Sequence, residues 1–224
     1  VLGFVLAFDD YSFDKLPLVQ EVFRLHPQSL EVELETIEGG ARAGMVAIHL
    51  CLVMCYRSEE QRARQLRIIS FILSVRPVTA TFTNKFGETP LHLICQHSMP
   101  CITSLRLILY AAPNSTNLRT NVSHKLPLHV LMGHRPMGPN LNIEAISALV
   151  THCPAAAMER AVEERLSFSF SSSSDNAMSE RTVEDWSPLD RARERNLQWF
   201  IGTMDRALHN LGVSRMTSRP CAFK

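Results

Sequence analysis

Asn84-Lys85-Phe86-Gly87-Glu88-Thr89-Pro90-Leu91-His92 is the stretch on which the fold turns. Gly87 suits a tight turn and Thr89 is a natural helix cap. Pro90 falls at the first helical position, where a missing N–H does no harm and φ is preset. The apolar residues that follow predict a short buried helix opening at Pro90. The same grammar returns at Gly44-Met-Val-Ala-Ile-His49, His124-Lys-Leu-Pro-Leu-His129 and Asp185-Trp-Ser-Pro-Leu-Asp190. The last residues of these stretches are spaced by 43, 37 and 61. The longest interval contains a Ser-rich run, 167–181, without helical periodicity; without its 15 residues the interval is 46.

A second landmark follows each of the first three stretches. Ile68 to Val75, Leu105 to Ala112 and Ile146 to Cys153 carry apolar residues at helical spacing, and each run stops at a proline: Pro77, Pro113 and Pro154. Leu18 to His26 does the same before Pro27. Proline cannot continue a helix and pushes its predecessor out of the α region, so each helix is expected to end there. One unit is then a turn, a short Pro-led helix, a link and a longer helix. Neither helix can bury its apolar face alone, so units must stack. The links are expected at 57–63, 97–100 and 132–140.

Thr89-Pro90-Leu91-His92, with Asn84 to Gly87 before it, resembles the opening tetrapeptide and hairpin tip of the ankyrin repeat. Leu126-Pro127-Leu128-His129 and Ser187-Pro188-Leu189-Asp190 are degenerate copies, and Val46 to His49 is a weaker one. The resemblance implies an all-α fold, an ankyrin-like helix-pair solenoid with short hairpin fingers. Residues 1–43 would form an N-terminal partial or capping unit, and residues 44–211 the array, with units at 44–80, 81–117, 118–158 and 182–211. The Ser-rich insertion 167–181 would be disordered and the basic tail 212–224 frayed. On this analogy His49, Thr89, His92 and His129 tie backbone groups within and between units, beside Pro90, Leu91, Pro127, Leu128, Pro188 and Leu189. The residue two places after the histidine, small in the family, is Cys51, Ile94 and Leu131 here; only Ala192 keeps the pattern.

Composition narrows the function. The chain has 224 residues, 46% apolar, with 23 basic against 22 acidic side chains. A net charge of +1 offers no field for nucleic acid. The longest apolar run, 44–56, falls short of the ~20 residues that span hydrocarbon, so it reads as a core helix. Val1 to Phe8 reads as a packing element. The 6 cysteines are too few for a disulfide scaffold and suggest a reducing compartment, cytoplasmic or nuclear. The acceptor tripeptides at Asn114 and Asn121 carry no weight without a leader.

No catalytic pattern stands in its context: no phosphate loop, nucleophile elbow or His-Glu-x-x-His. His92 and Cys95, with Cys51, Cys55 and Cys101, invite a zinc reading, since imidazole and thiolate are its ligands; cysteine in an apolar helix also serves as a small hydrophobe. Leu30 to Glu35 alternates with period two, as the solvated face of a hairpin finger would. Arg57, Arg62, Arg64 and Arg67 read as another solvated face. The expected function is a non-enzymatic protein–protein interaction scaffold, monomeric, without cofactor or metal, with an unidentified protein partner. The contact residues would be at the finger tips: Asn84, Lys85 and Phe86, then Asn121, Val122 and His124. The alternative is a zinc-binding or enzyme-associated repeat segment of a longer protein.

Overall fold

In a computed structural model, residues 14–33, 44–53, 58–97, 100–133, 143–159, 161–168 and 179–194 are described, with positions 6, 198, 200–202 and 209. For 161–168 and 179–185 the description covers the backbone. This chain is mostly helical: α1 Leu16–Leu25, α2 Ala47–Val53, α3 Glu59–Val75, α4 Pro90–Gln96, α5 Ile102–Ala111, α6 Pro127–Gly133, α7 Ile143–His152 and α8 Pro188–Glu194. Between α7 and α8 lies one antiparallel ribbon, β1 (Ala161–Phe168) paired with β2 (Ser179–Trp186).

The pre-proline residue stops four helices in one way. His26, Arg76, Ala112 and Cys153 have φ between −138° and −146° and ψ between 72° and 81°. Each still donates its N–H to the carbonyl four residues back, closing α1, α3, α5 and α7. Proline then opens a 3₁₀ turn: Pro27–Leu30, Pro77–Thr81, Pro113–Asn117 and Pro154–Ala157. The clash between the proline ring and its predecessor's backbone sets this geometry four times over.

The short helices α2, α4, α6 and α8 pack each on the next, and so do the partner helices α1, α3, α5 and α7. The pairs α2–α3, α4–α5 and α6–α7 connect the two rows. In α2 every residue from Ala47 to Leu52 is buried, and in α4 every residue from Pro90 to Cys95. The partner helices bury one stripe each, such as Ile68, Ile69, Ile72 and Leu73 of α3. Each such Ile or Leu contributes roughly 1.5–3 kcal/mol of transfer free energy against the entropy of ordering the chain. Cys51, Ile94, Leu131 and Ala192 are all buried, so the larger side chains after the histidines are accommodated in the core. Leu6 is also fully buried.

The structure differs from the sequence expectation at several places. α3 starts at Glu59, its N-cap Ser58 accepting from Gln61 N–H at 3.2 Å, so residues 59–63 are helix and not link. Met132 and Gly133 belong to α6. The ribbon includes Ser167, Phe168 and 179–181, so both ends of the expected insertion are paired backbone. Leu30 closes a 3₁₀ turn and Glu31 bridges to Arg76 at 3.2 Å, in place of a strand start; residues 34–43 lie outside the described residues, as do Cys55, Arg57 and 212–224. Arg62, Arg64 and Arg67 pair with Glu59, Glu60 and Asp14. Among the described residues no helix is long and apolar enough to cross a membrane.

Candidate functional site

The three histidines behave as one device used three times. Each ring is fully buried at the start of a short helix. Nδ1 accepts the N–H of the residue three places earlier: Val46 to His49 at 3.3 Å, Thr89 to His92 at 3.1 Å, Leu126 to His129 at 3.3 Å. Nε2 lies 3.2, 3.0 and 2.8 Å from the carbonyls of Phe82, Lys125 and Glu159. A carbonyl only accepts, so the proton belongs on Nε2 and the ring is neutral. Burial is the main reason that all three are pushed down to about 4; at His129 the charges of Arg119 and Lys125 add to it. Each ring therefore caps its own helix and reaches a carbonyl 33, 33 or 30 residues further along.

Thr89 strengthens the middle clamp. Its hydroxyl lies 2.9 Å from His92 Nδ1 and accepts the His92 N–H. Asp190 replaces the histidine at α8 and makes the local half of the clamp: its carboxylate accepts from Ser187 N–H at 3.0 Å and from the Ser187 hydroxyl at 2.9 Å. Pro90, Leu91, Pro127, Leu128 and Pro188 are buried around these caps, and Leu189 packs against the core.

Between the clamps, the finger turns meet tip to tip. Gly44 and Gly87 have φ of 73° and 75°. A Cβ on Gly44 would lie 2.9 Å from Lys85 N, and one on Gly87 2.6 Å from Asn121 N. His124 adopts φ 51° at the corresponding place of the next finger. Asn121 N–H donates to Phe86 C=O at 2.8 Å, which fastens neighbouring tips.

The expected contact residues divide. Asn84 is corrected: it is buried, its Oδ1 accepting from Phe86 N–H at 2.9 Å and Glu88 N–H at 3.0 Å, and its amide donating to Glu88. An Asx-type side chain spent on its own turn does not face a partner. Lys85, Phe86, Asn121, Val122 and His124 are on the surface. Val122 is 81% exposed and Phe86 40%, with the Lys85 ammonium 4.8 Å from the Phe86 ring centre.

Among the described residues the zinc set does not assemble. Both His92 nitrogens are taken by backbone groups, and burial drives the Cys95 thiol far up, away from the thiolate that binds metal. Among the described residues no three His, Cys, Asp or Glu side chains are placed to hold an ion.

Several structural residues escaped the sequence reading. Thr120 does for the third finger what Asn84 does for the second, its hydroxyl accepting from Lys125 N–H at 3.0 Å. His97 reaches back to Leu52 C=O at 2.7 Å. Trp186 and Arg191 are both 4% exposed. Thr120 had a weak signal, a hydroxyl at a turn; the others had none. No protein-family model, curated protein or solved structure matches the chain.

Proposed function

We propose that the chain is a divergent ankyrin-like solenoid acting as a non-enzymatic protein-interaction scaffold, with the finger tips as its docking surface. The repeat reading is supported by three histidines that make the same pair of bonds one unit apart. The docking reading is carried by one observation: Phe86 and Val122 stand exposed on adjacent tips whose backbones are bonded to each other. Rigid turns presenting apolar side chains lose little entropy when a partner covers them.

The test is affinity capture with three forms of the chain: unaltered, Phe86→Ala/Val122→Asp, and Tyr110→Ala. Tyr110 is 91% exposed on α5, away from the tips in sequence, and serves as the control. Proteins retained by the unaltered chain and by the Tyr110 variant should fall by about tenfold or more with the tip variant, whose melting temperature stays put. Equal recovery by all three forms defeats the tip surface.

A further inference from the structure

The junction at His129 is unlike the other two. Trp186, the last residue of β2, lies against the imidazole with centroids 5.5 Å apart and planes at 60°. The same indole carries the Arg191 guanidinium of α8, 4.5 Å from its ring centre. One buried stack thus joins α6, the foot of the ribbon and α8. Gly133 of α6 borders the indole: a Cβ there would lie 3.7 Å from Trp186, in ordinary contact.

We propose that this stack is an acid-released latch: protonating His129 frees the ribbon foot and α8 from α6 while the preceding helix pairs stay assembled. A proton on Nδ1 would face the Leu126 N–H, donor against donor, in a fully buried site. The charged surroundings oppose it further. Arg119 and Lys125 of the preceding finger face the ring electrostatically.

Among the described residues no carboxylate is placed to compensate. Glu159 is paired with Arg119, Glu194 with Arg191, and Asp190 is bonded to Ser187. On α7, Glu144 and His152 are exposed and bonded to Arg106 and the Ala148 carbonyl. The 3₁₀ turns Pro113–Asn117 and Pro154–Ala157 carry no charged side chain, and Cys95 of α4 is a buried thiol. The latch opens before the other clamps because, among the described residues, fewer contacts hold it. His49 and His92 lie between helix pairs with neighbours on both sides, whereas the main neighbours of α8 are α6 and the Pro154–Ala157 turn. Elements held by few contacts open at the lowest free energy.

The experiment uses the full chain with Trp199→Phe, so that Trp186 is the one remaining tryptophan of 2. Its emission and the far-ultraviolet helix signal are followed as pH falls from neutral. Trp186 should move to a wetter environment about half a pH unit or more above the midpoint of helix loss. Arg119→Gln removes a cation beside His129 and frees the Glu159 carboxylate, so the Trp186 midpoint should shift to higher pH. Coincident midpoints, or an Arg119→Gln midpoint that stays or falls, overturn the latch. If Trp199→Phe fails to fold, amide exchange on the unaltered chain decides. Leu126 and Ala192 should lose protection at mildly acidic pH while Leu93 and Ile94 keep theirs, and equal loss in α4 and α8 overturns it.

Discussion

His92 shows what one side chain carries here. Truncating it to alanine strands the Thr89 N–H and the Lys125 carbonyl in the interior and leaves a void where a fully buried ring stood. A buried group without a partner costs ~1–3 kcal/mol, so His92→Ala should lower stability by roughly 2–4 kcal/mol in a urea titration. A loss below about 1 kcal/mol would mean that water replaces both bonds. The finger tips give a paired prediction of opposite sign. Gly87→Ala forces a Cβ to 2.6 Å from the Asn121 backbone at φ 75°, and should cost about 2 kcal/mol or more. His124→Gly relieves an L-residue at φ 51° and should leave stability unchanged or raise it, by up to about 1 kcal/mol, as read in a urea titration. The tip glycines and clamp histidines were legible in the sequence because each answers a local demand, positive φ or a cap three residues back. Asn84 was misread for the same reason: turn residue and contact residue look alike until burial is known.

Helices ended where the sequence said because proline acts on its immediate neighbour, without help from tertiary context. Starts were less legible. α3 opens on Ser58-Glu59-Glu60, a cap and acidic first turn with no apolar residue to mark a buried face, and so passed for a link. That cap is testable: Ser58→Ala should lower stability by about 1 kcal/mol, and no change would show the serine idle. The ribbon was hidden by its own composition, since neither Ala161–Phe168 nor Ser179–Trp186 alternates cleanly between apolar and polar residues and a Ser-rich run joins them. Its register, Ala161 opposite Trp186 through Phe168 opposite Ser179, suits a short connection. Replacing 169–178 by Asn-Gly supplies a tight hairpin turn and shortens the loop, which should raise stability by up to roughly 1 kcal/mol. A clear drop in melting temperature would show that the replaced residues make contacts of their own.

Across the whole molecule the histidines make stability a function of pH, and the direction follows from their burial. In the unfolded chain an imidazole titrates near its ordinary value, ~6.5. In the folded protein His49, His92 and His129 are held down to about 4. Between those values the unfolded state binds more protons, so acid favours unfolding. The contribution is fully present above about pH 6.5 and drains away as pH falls toward the folded value, below which both states are protonated. At about 1.4 kcal/mol per pH unit of difference, each ring contributes on the order of 3–4 kcal/mol, large beside a total stability of roughly 5–15 kcal/mol. The exposed ion pairs, such as Arg24–Glu21 and Arg106–Glu144, cannot produce such a slope, being worth ~0–1 kcal/mol each and screened by salt. The urea midpoint should therefore fall steeply from about pH 7 to about pH 5, keep that slope in high salt, and flatten by roughly a third when His92 is replaced by asparagine. A midpoint that is level over this range would mean that the rings admit water or a counter-charge, and that the units are not joined through neutral imidazoles.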